Sequence, residues 1–509
     1  MVPPARPPTA WRLLLALALI KVAMHLLSAA LAWGYMTDEL YYLDSIDQLD
    51  WGFVDHPPLS IAILGGVRAL LGDSLFAIRV VPALLGGTTV VLTGLMAREM
   101  GGGRAAQGLA GLAALTNLVH LALDSFYSMN AIEIALWAVA MLLVLRIVNG
   151  GDRRHWLLLG VILGAGLLNK ASMLWFGAGL GVGLALTPER HWLRTPWPWM
   201  AGVIAIGCFA PFAWWQGSNG WPFLEFNRNA AAHKIGHVTP IAFASEQILA
   251  MNPLAAPLVV GSLAYCWVTE SGRRYRAAMW VFVTAFLLLA FSGSARSHYL
   301  APAYPISLAA GSVAVERLAR GRRWAIRLTA TALSAVAIAA APLAMPLLSP
   351  DATARYQNAL GIRPRDEIQR SGGLPMHLAL QLHAAAVLEP VAAVYASLPP
   401  DERSRVEILT SYFGETGAVN VLGRKLRLPR SIGLHNQYGL WGPGDARGEL
   451  MIVVHAPEAE LDAWFTTCER RASIDCPYCM ELLQAEAVYL CRNARRPLRD
   501  LWPQMRMYE

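Results

Sequence analysis

Residues 10–42 read AWRLLLALALIKVAMHLLSAALAWGYMTDELYY. An apolar run of about 25 residues, long enough to cross a hydrocarbon core of roughly 30 Å, ends in Thr37-Asp38-Glu39-Leu40-Tyr41-Tyr42. Two carboxylates directly past the end of such a helix are costly unless they face water or a partner, which makes them candidates for function. Ala30-Leu31-Ala32 resembles a signal-peptide cleavage site, but the run exceeds a usual signal core. The expectation is an uncleaved first span.

Outward from this stretch, apolar runs recur at 74–98, 105–123, 130–148, 155–169, 172–187, 199–216, 247–269, 277–292, 299–318 and 324–347. With 10–34 they make about eleven spans. The shorter run 57–72 opens with Pro57-Pro58 and reads as an interfacial helix. The 509 residues are 55% hydrophobic and 15% charged, against roughly 25% charged in a soluble domain, and mean hydropathy is +0.40. Much of the surface must therefore face lipid, which excludes a disordered chain, a collagen-like repeat and an ordinary cytosolic enzyme. The net charge of +7 sits in short Arg clusters between apolar runs, a pattern that orients membrane helices and does not indicate nucleic acid. Arg6 and Arg12, Arg98 and Arg104, Arg146, Arg153 and Arg154, Arg190 and Arg194, Arg273, Arg274 and Arg276, and the group from Arg317 to Arg327 fall in alternate loops. By the positive-inside rule those loops are cytoplasmic. The N-terminus then lies inside and, with an odd number of spans, the C-terminal part outside.

Residues 349–509 carry many charges and short β-type runs at 406–410, 450–454 and 487–490, with helical stretches near 376–397 and 457–467. They read as a small α/β domain outside the membrane. It follows a transmembrane domain, 1–348, whose first outer loop is 35–73. Cys468, Cys476, Cys479 and Cys491 all lie in the exterior domain. Two disulfides are the simplest outcome in an oxidising compartment, with three pairings open; zinc binding and redox use of Cys476-Pro-Tyr-Cys479 are the alternatives.

Chemistry-bearing residues gather in the outer loops. Asp55-His56-Pro57-Pro58 follows the Asp38-Glu39 pair within one loop, where the prolines fix the chain. Asp124 opens the stretch to Asn130, and Asn130 and Glu133 share one helix face. Lys170 interrupts the apolar stretch 156–187; a lysine there needs an anion, either a lipid phosphate or a carboxylate. Arg296 and His298 form another outer cationic pair. Carboxylates suit deprotonation of a hydroxyl and cations suit a phosphate. Together they fit group transfer from a phospholipid-linked donor.

The ordered set of motifs resembles bacterial glycosyltransferase family 39, the polyprenyl-phosphate-dependent membrane transferases related to protein O-mannosyltransferases and to the lipid A aminoarabinose transferase. It rests on Asp38-Glu39-Leu40-Tyr41-Tyr42, Asp55-His56-Pro57-Pro58-Leu59, the stretches 124–130, 166–170 and 298–305, and 433–438 with Trp441-Gly442-Pro443. The resemblance implies a polytopic α-helical membrane protein of GT-C type in the bacterial inner membrane, with a C-terminal periplasmic α/β domain. It implies inverting transfer of a sugar from a polyprenyl-phosphate donor to a hydroxyl of lipid A, another glycan or a protein. Asp38 would be the base and Glu39 its assistant. Lys170, Arg296 and His298 would hold the donor phosphate, and Tyr42, Asp55, His56, Asp124 and Asn130 would contact substrate. Lys170 stands in Asn-Lys-Ala where the aminoarabinose transferases have Thr-Lys-Gly, a departure from the pattern. The resemblance fixes neither a cofactor nor a metal ligand: some relatives use a divalent cation, Mg or Mn. A polyprenyl-lipid flippase and a non-catalytic glycolipid-binding protein are the alternatives. No internal repeat supports the first, and the intact Asp-Glu pair weighs against the second.

Overall fold

The computed structural model describes residues 6–235, 237–362, 373–479 and 486–509. The chain separates into two compact units. One comprises Met1–Ala30, Arg79–Trp214 and His237–Met345; the other comprises Leu31–Ile78, Trp215–Gly236 and Pro346–Glu509. One division between the units falls between Met345 and Pro346. The loop after the first helix groups with the C-terminal residues.

In the first unit every expected apolar run folds as helix. Six described helices are both long and apolar enough to cross a membrane: Trp11–Ala30, Leu75–Glu99, Met129–Val148, Pro196–Ser218, Arg323–Ala344 and Met376–Ser397. The pair Pro240–Met251 and Pro253–Val268 would make a seventh, bent by 102°. The straight span expected over 247–269 is thus broken at Asn252, which has φ 132° and whose amide donates to the Thr116 and Leu333 carbonyls at 3.2 and 3.1 Å. The run 105–123 likewise divides into Arg104–Leu115 and Leu118–Leu123, the latter capped by the Asn117 side chain. His155–Asn169, Met173–Leu186, Arg276–Ala290 and Tyr304–Ala319 have 14 to 16 residues. At 1.5 Å per residue they reach only about 21–24 Å. Lipid gives packed helices no hydrophobic drive to associate, so small residues let them touch. A Cβ at Gly179 of Met173–Leu186 would lie 2.6 Å from Val281 Cα of Arg276–Ala290.

The second unit is built on a five-stranded sheet of β1 (Glu407–Thr410), β2 (Ser431–Gly433), β3 (Leu450–Val454), β4 (Phe465–Ile474) and β5 (Glu486–Ala494), in the order β2-β1-β3-β5-β4. β1 runs parallel to β2 and β3, while β5 is antiparallel to β3 and β4. Alternate residues feed two cores. Ile408, Ile452, Val454 and Leu490 pack with Val387 and Val391 of Met376–Ser397, which is why that apolar helix is a core element of this unit. Leu409, Met451 and Val453 pack with Trp464, Leu501 and Trp502. Leu40, from the loop after the first helix, joins the former core. Of the three disulfide pairings open to the sequence, the structure has Cys468–Cys491, across β4 and β5, and Cys476–Cys479.

Candidate active site

The loop after the first span forms a helix, Thr37–Ser45, with Asp38 and Glu39 in its first turn, where the helix dipole favours negative charge. The two acids differ in setting. Glu39 is fully buried and its Oε2 accepts the Met36 N–H at 2.9 Å, so it fastens the start of the helix. Asp38 remains half-buried.

Asp44, on the same helix, is a buried carboxylate that sequence reasoning missed. Its oxygens accept from Asn420 Nδ2 at 2.8 Å and from Arg430 at 2.9 Å. The helix is also held by close approach: a Cβ at Gly417, on the Phe413–Val421 helix, would lie 2.9 Å from the backbone of Leu40 and Tyr41. The remaining loop residues converge around Tyr41, whose hydroxyl donates to Asp55 Oδ1 at 2.8 Å and accepts from Gln437 N at 3.3 Å. Gln437 Oε1 accepts from Val54 N at 2.9 Å. The buried His56 ring lies 4.9 Å from Tyr42 and 5.9 Å from Tyr41, centre to centre, with Nε2 3.9 Å from Asp55 Oδ1. Tyr42, Asp55 and His56 are therefore brought together. Burial, then the Asp55 carboxylate, holds the Tyr41 hydroxyl far above its ordinary pKa, so Tyr41 stays a donor.

In the first unit Lys170, Asn130 and Glu133 form one cluster. Lys170 Nζ donates to Asn130 Oδ1 and Glu133 Oε2, both at 2.8 Å, and lies 5.3 Å from the centre of the Tyr299 ring. Ser172 donates to Glu133 as well. An ammonium has three donors, and two are engaged here. Arg296 precedes the turn Ser297–Ala303 that carries Tyr299; His298 and Tyr299 meet ring to ring at 4.8 Å. Asp124 stands apart from this cluster. It is sealed against Lys21 of the first helix, 3.0 Å away, with both side chains nearly inaccessible. A single lysine inside residues 10–34 was the available signal, since charge at that depth needs a partner.

Two further features lie in the second unit. His435 Nε2 and Asn436 Oδ1 bond the backbone of Glu509 at 2.8 and 3.0 Å, so this motif fastens residues 507–509. Glu415 is fully buried, with His455 Nδ1 at 3.0 Å and His383 Nε2 at 3.7 Å from its Oε1. Burial alone would raise its carboxyl; the two histidines outweigh burial and hold it well below the usual range. Among the described residues no group of three or more His, Cys, Asp or Glu side chains is placed to hold a metal ion.

Residues 55–215 match the family model described as dolichyl-phosphate-mannose-protein mannosyltransferase. The undecaprenyl phosphate-alpha-4-amino-4-deoxy-L-arabinose arabinosyl transferase 1 of Pseudomonas fluorescens is 26% identical over 275 residues, 50% of this chain and 49% of that protein. The match thus spans about half the length of that curated relative. The structure of ArnT from Cupriavidus metallidurans bound to undecaprenyl phosphate is similar at a TM-score of 0.62 and 14% identity, covering 95% of this chain and 98% of that one. The archaeal oligosaccharyltransferase AglB from Archaeoglobus fulgidus, in complex with an inhibitory peptide and a dolichol-phosphate, has a TM-score of 0.50 at 11% identity, over 88% and 69%. The chain has the GT-C membrane fold that the sequence motifs implied.

Proposed function

We propose that this protein is an inverting membrane glycosyltransferase. It moves a sugar from a polyprenyl-phosphate donor to a hydroxyl of an envelope acceptor, lipid A, another glycan or a protein, on the periplasmic side of the bacterial inner membrane. The observation that carries this reading is the state of the acidic pair. Glu39 is buried in a backbone contact, whereas Asp38 keeps part of its surface at the start of a helix anchored through Asp44.

Asp38 takes the proton of the acceptor hydroxyl as that oxygen attacks the anomeric carbon. The bond from that carbon to the phosphate oxygen breaks, and polyprenyl phosphate departs carrying the electron pair. Charge grows on the leaving phosphate, so a cation already in place lowers the barrier. Lys170 fills that role with its third N–H, while Asn130 and Glu133 fix the other two. Arg296 adds positive charge to the phosphate side, and His298 offers it a ring N–H. Tyr41 and Gln437 hold the segment that contains Asp55 and His56, which contacts substrate together with Tyr42. Support for a lipid-phosphate donor also comes from the similar structure that holds undecaprenyl phosphate.

The test is release of polyprenyl phosphate from a panel of synthetic polyprenyl-phosphate sugars in proteoliposomes. Asp38→Asn is expected to cut the rate by about 10²–10⁴. Release that persists in this variant moves the base to Asp55. A folded protein that releases nothing from any donor yet moves labelled lipid across the bilayer is a flippase, and the transferase reading falls.

A further inference from the structure

The second unit holds a pocket that no step of the proposed reaction uses. It has a volume of about 340 Å³ and is walled by Trp441, Pro443, Arg499, Trp502, Pro503 and Arg506. One wall is the turn Trp441-Gly442-Pro443-Gly444, in which Gly442 (φ 83°) and Gly444 (φ 60°) take the left-handed backbone that glycine permits. The other is the helix Leu498–Met505. Its Leu498, Leu501, Trp502 and Met505 are buried in the core under the sheet, leaving Arg499 and Pro503 exposed.

The aromatic and cationic groups are held in place. Trp502 donates its indole N–H to the Gly439 carbonyl at 2.8 Å, and Trp441 stands edge-on to Tyr438 at 5.3 Å. Arg499 donates to the Gly444 carbonyl at 3.2 Å and lies 3.6 Å from Asp445. Arg506 lies 5.1 Å from the centre of the Tyr508 ring. Exposed Arg495 and Arg496 flank the same helix, so positive charge exceeds the neighbouring acids Asp445 and Asp500.

An indole face packs on the C–H face of a pyranose, and a guanidinium fork takes a carboxylate or phosphate in two parallel hydrogen bonds. A mostly apolar wall with few oriented polar groups is the usual build of a small-ligand site, and the volume lies at the small end of that range. That volume has room for a pyranose ring. We propose that this pocket is a subsite for an acidic saccharide, with Trp441 against the ring and Arg499 and Arg506 on its anionic group. Binding here stands apart from the transferase reading. The consequence that the acceptor is an acidic glycan rests on that reading.

The experiment is calorimetric titration of the full chain in phosphatidylcholine nanodiscs with trigalacturonate and, as the neutral match, maltotriose. Trigalacturonate is expected to bind at least about tenfold tighter. The double substitution Arg499→Gln/Arg506→Gln, on exposed side chains that do not support the core, brings it down to the neutral level. Trp441→Ala weakens both saccharides by about fivefold or more, with the unfolding temperature recorded beside it. Asp38→Asn binds as wild type, so failure of transfer and failure of this subsite are read separately. The proposal is overturned by equal affinity for the two saccharides, by an unchanged Arg variant, or by no heat from either ligand. It is also overturned if inorganic phosphate or phosphatidylglycerol vesicles displace trigalacturonate while Trp441→Ala binds normally, because that describes a bare anion patch.

Discussion

Gly417→Ala is a small change with a calculable effect on the helix that carries Asp38. The new methyl carbon would sit 2.9 Å from Leu40 C and Tyr41 N. Both are backbone atoms, so a rotamer change cannot relieve the contact and the two helices must separate. Overpacking of this kind costs about 1–3 kcal/mol. The alanine also gains about 1 kcal/mol of helix propensity, but that gain belongs to Phe413–Val421 itself and leaves the interface untouched. Global stability should therefore fall by only about 0–2 kcal/mol, while local opening of Thr37–Ser45 becomes easier by the full interface cost. Native-state hydrogen exchange separates the two: amides of residues 37–45 should exchange about 5–150 times faster in the variant. Gly66→Ala is the control, in a helix of the same unit with nothing within 4 Å of the added carbon. It should leave exchange at 37–45 as in wild type. Unchanged or slower exchange there in Gly417→Ala would refute the backbone contact and, with it, the idea that the sheet domain positions the proposed base.

Three further outcomes follow from charge and cross-links. Glu133→Ala removes the carboxylate partner of the partly buried Lys170 ammonium and should cost about 3 kcal/mol, most of it recovered when Lys170→Met is added; a double-mutant cycle on thermal unfolding measures it. Cys468→Ser with Cys491→Ser opens a loop of 23 residues and should cost about 3 kcal/mol, against about 2 for the pair Cys476 and Cys479, in denaturant unfolding of the oxidised protein. Glu415 has its folded pKa depressed by His455 and His383 despite burial. Its stabilising contribution is thus complete above the ordinary glutamate value of about 4.3 and is lost as pH falls below it. The unfolding temperature of wild type should decline through that window more steeply than that of Glu415→Gln.

The sequence makes some of this architecture plain and hides the rest for identifiable reasons. Apolar runs mark helices because burial in lipid or core needs continuous apolar surface. They do not tell a straight helix from one bent at Asn252. The β-runs at 406–410, 450–454 and 487–490 became β1, β3 and part of β5. β4 escaped notice because it is a largely exposed edge strand, so its polar residues give no alternating signal. The acidic pair, Lys170 and the Asp55-His56 motif stand out as costly or fixed residues beside apolar runs. Their partners do not. Asp44 pairs with Arg430 and Lys21 with Asp124 across separations that no local pattern encodes.

The unit that holds Asp38 is assembled from three stretches, Leu31–Ile78, Trp215–Gly236 and Pro346–Glu509, and this has a consequence in time. Val54 and Gln437, which bond directly, are 383 residues apart. At a synthesis rate of roughly 5–20 residues per second, the loop waits about 20–80 s for its counterpart. During that interval the Thr37–Ser45 helix has neither Asn420 nor Arg430 for Asp44 and no Phe413–Val421 helix to pack on. A half-made chain therefore holds its proposed base on an unanchored helix, and the anchoring of that helix arrives only with the last third of translation.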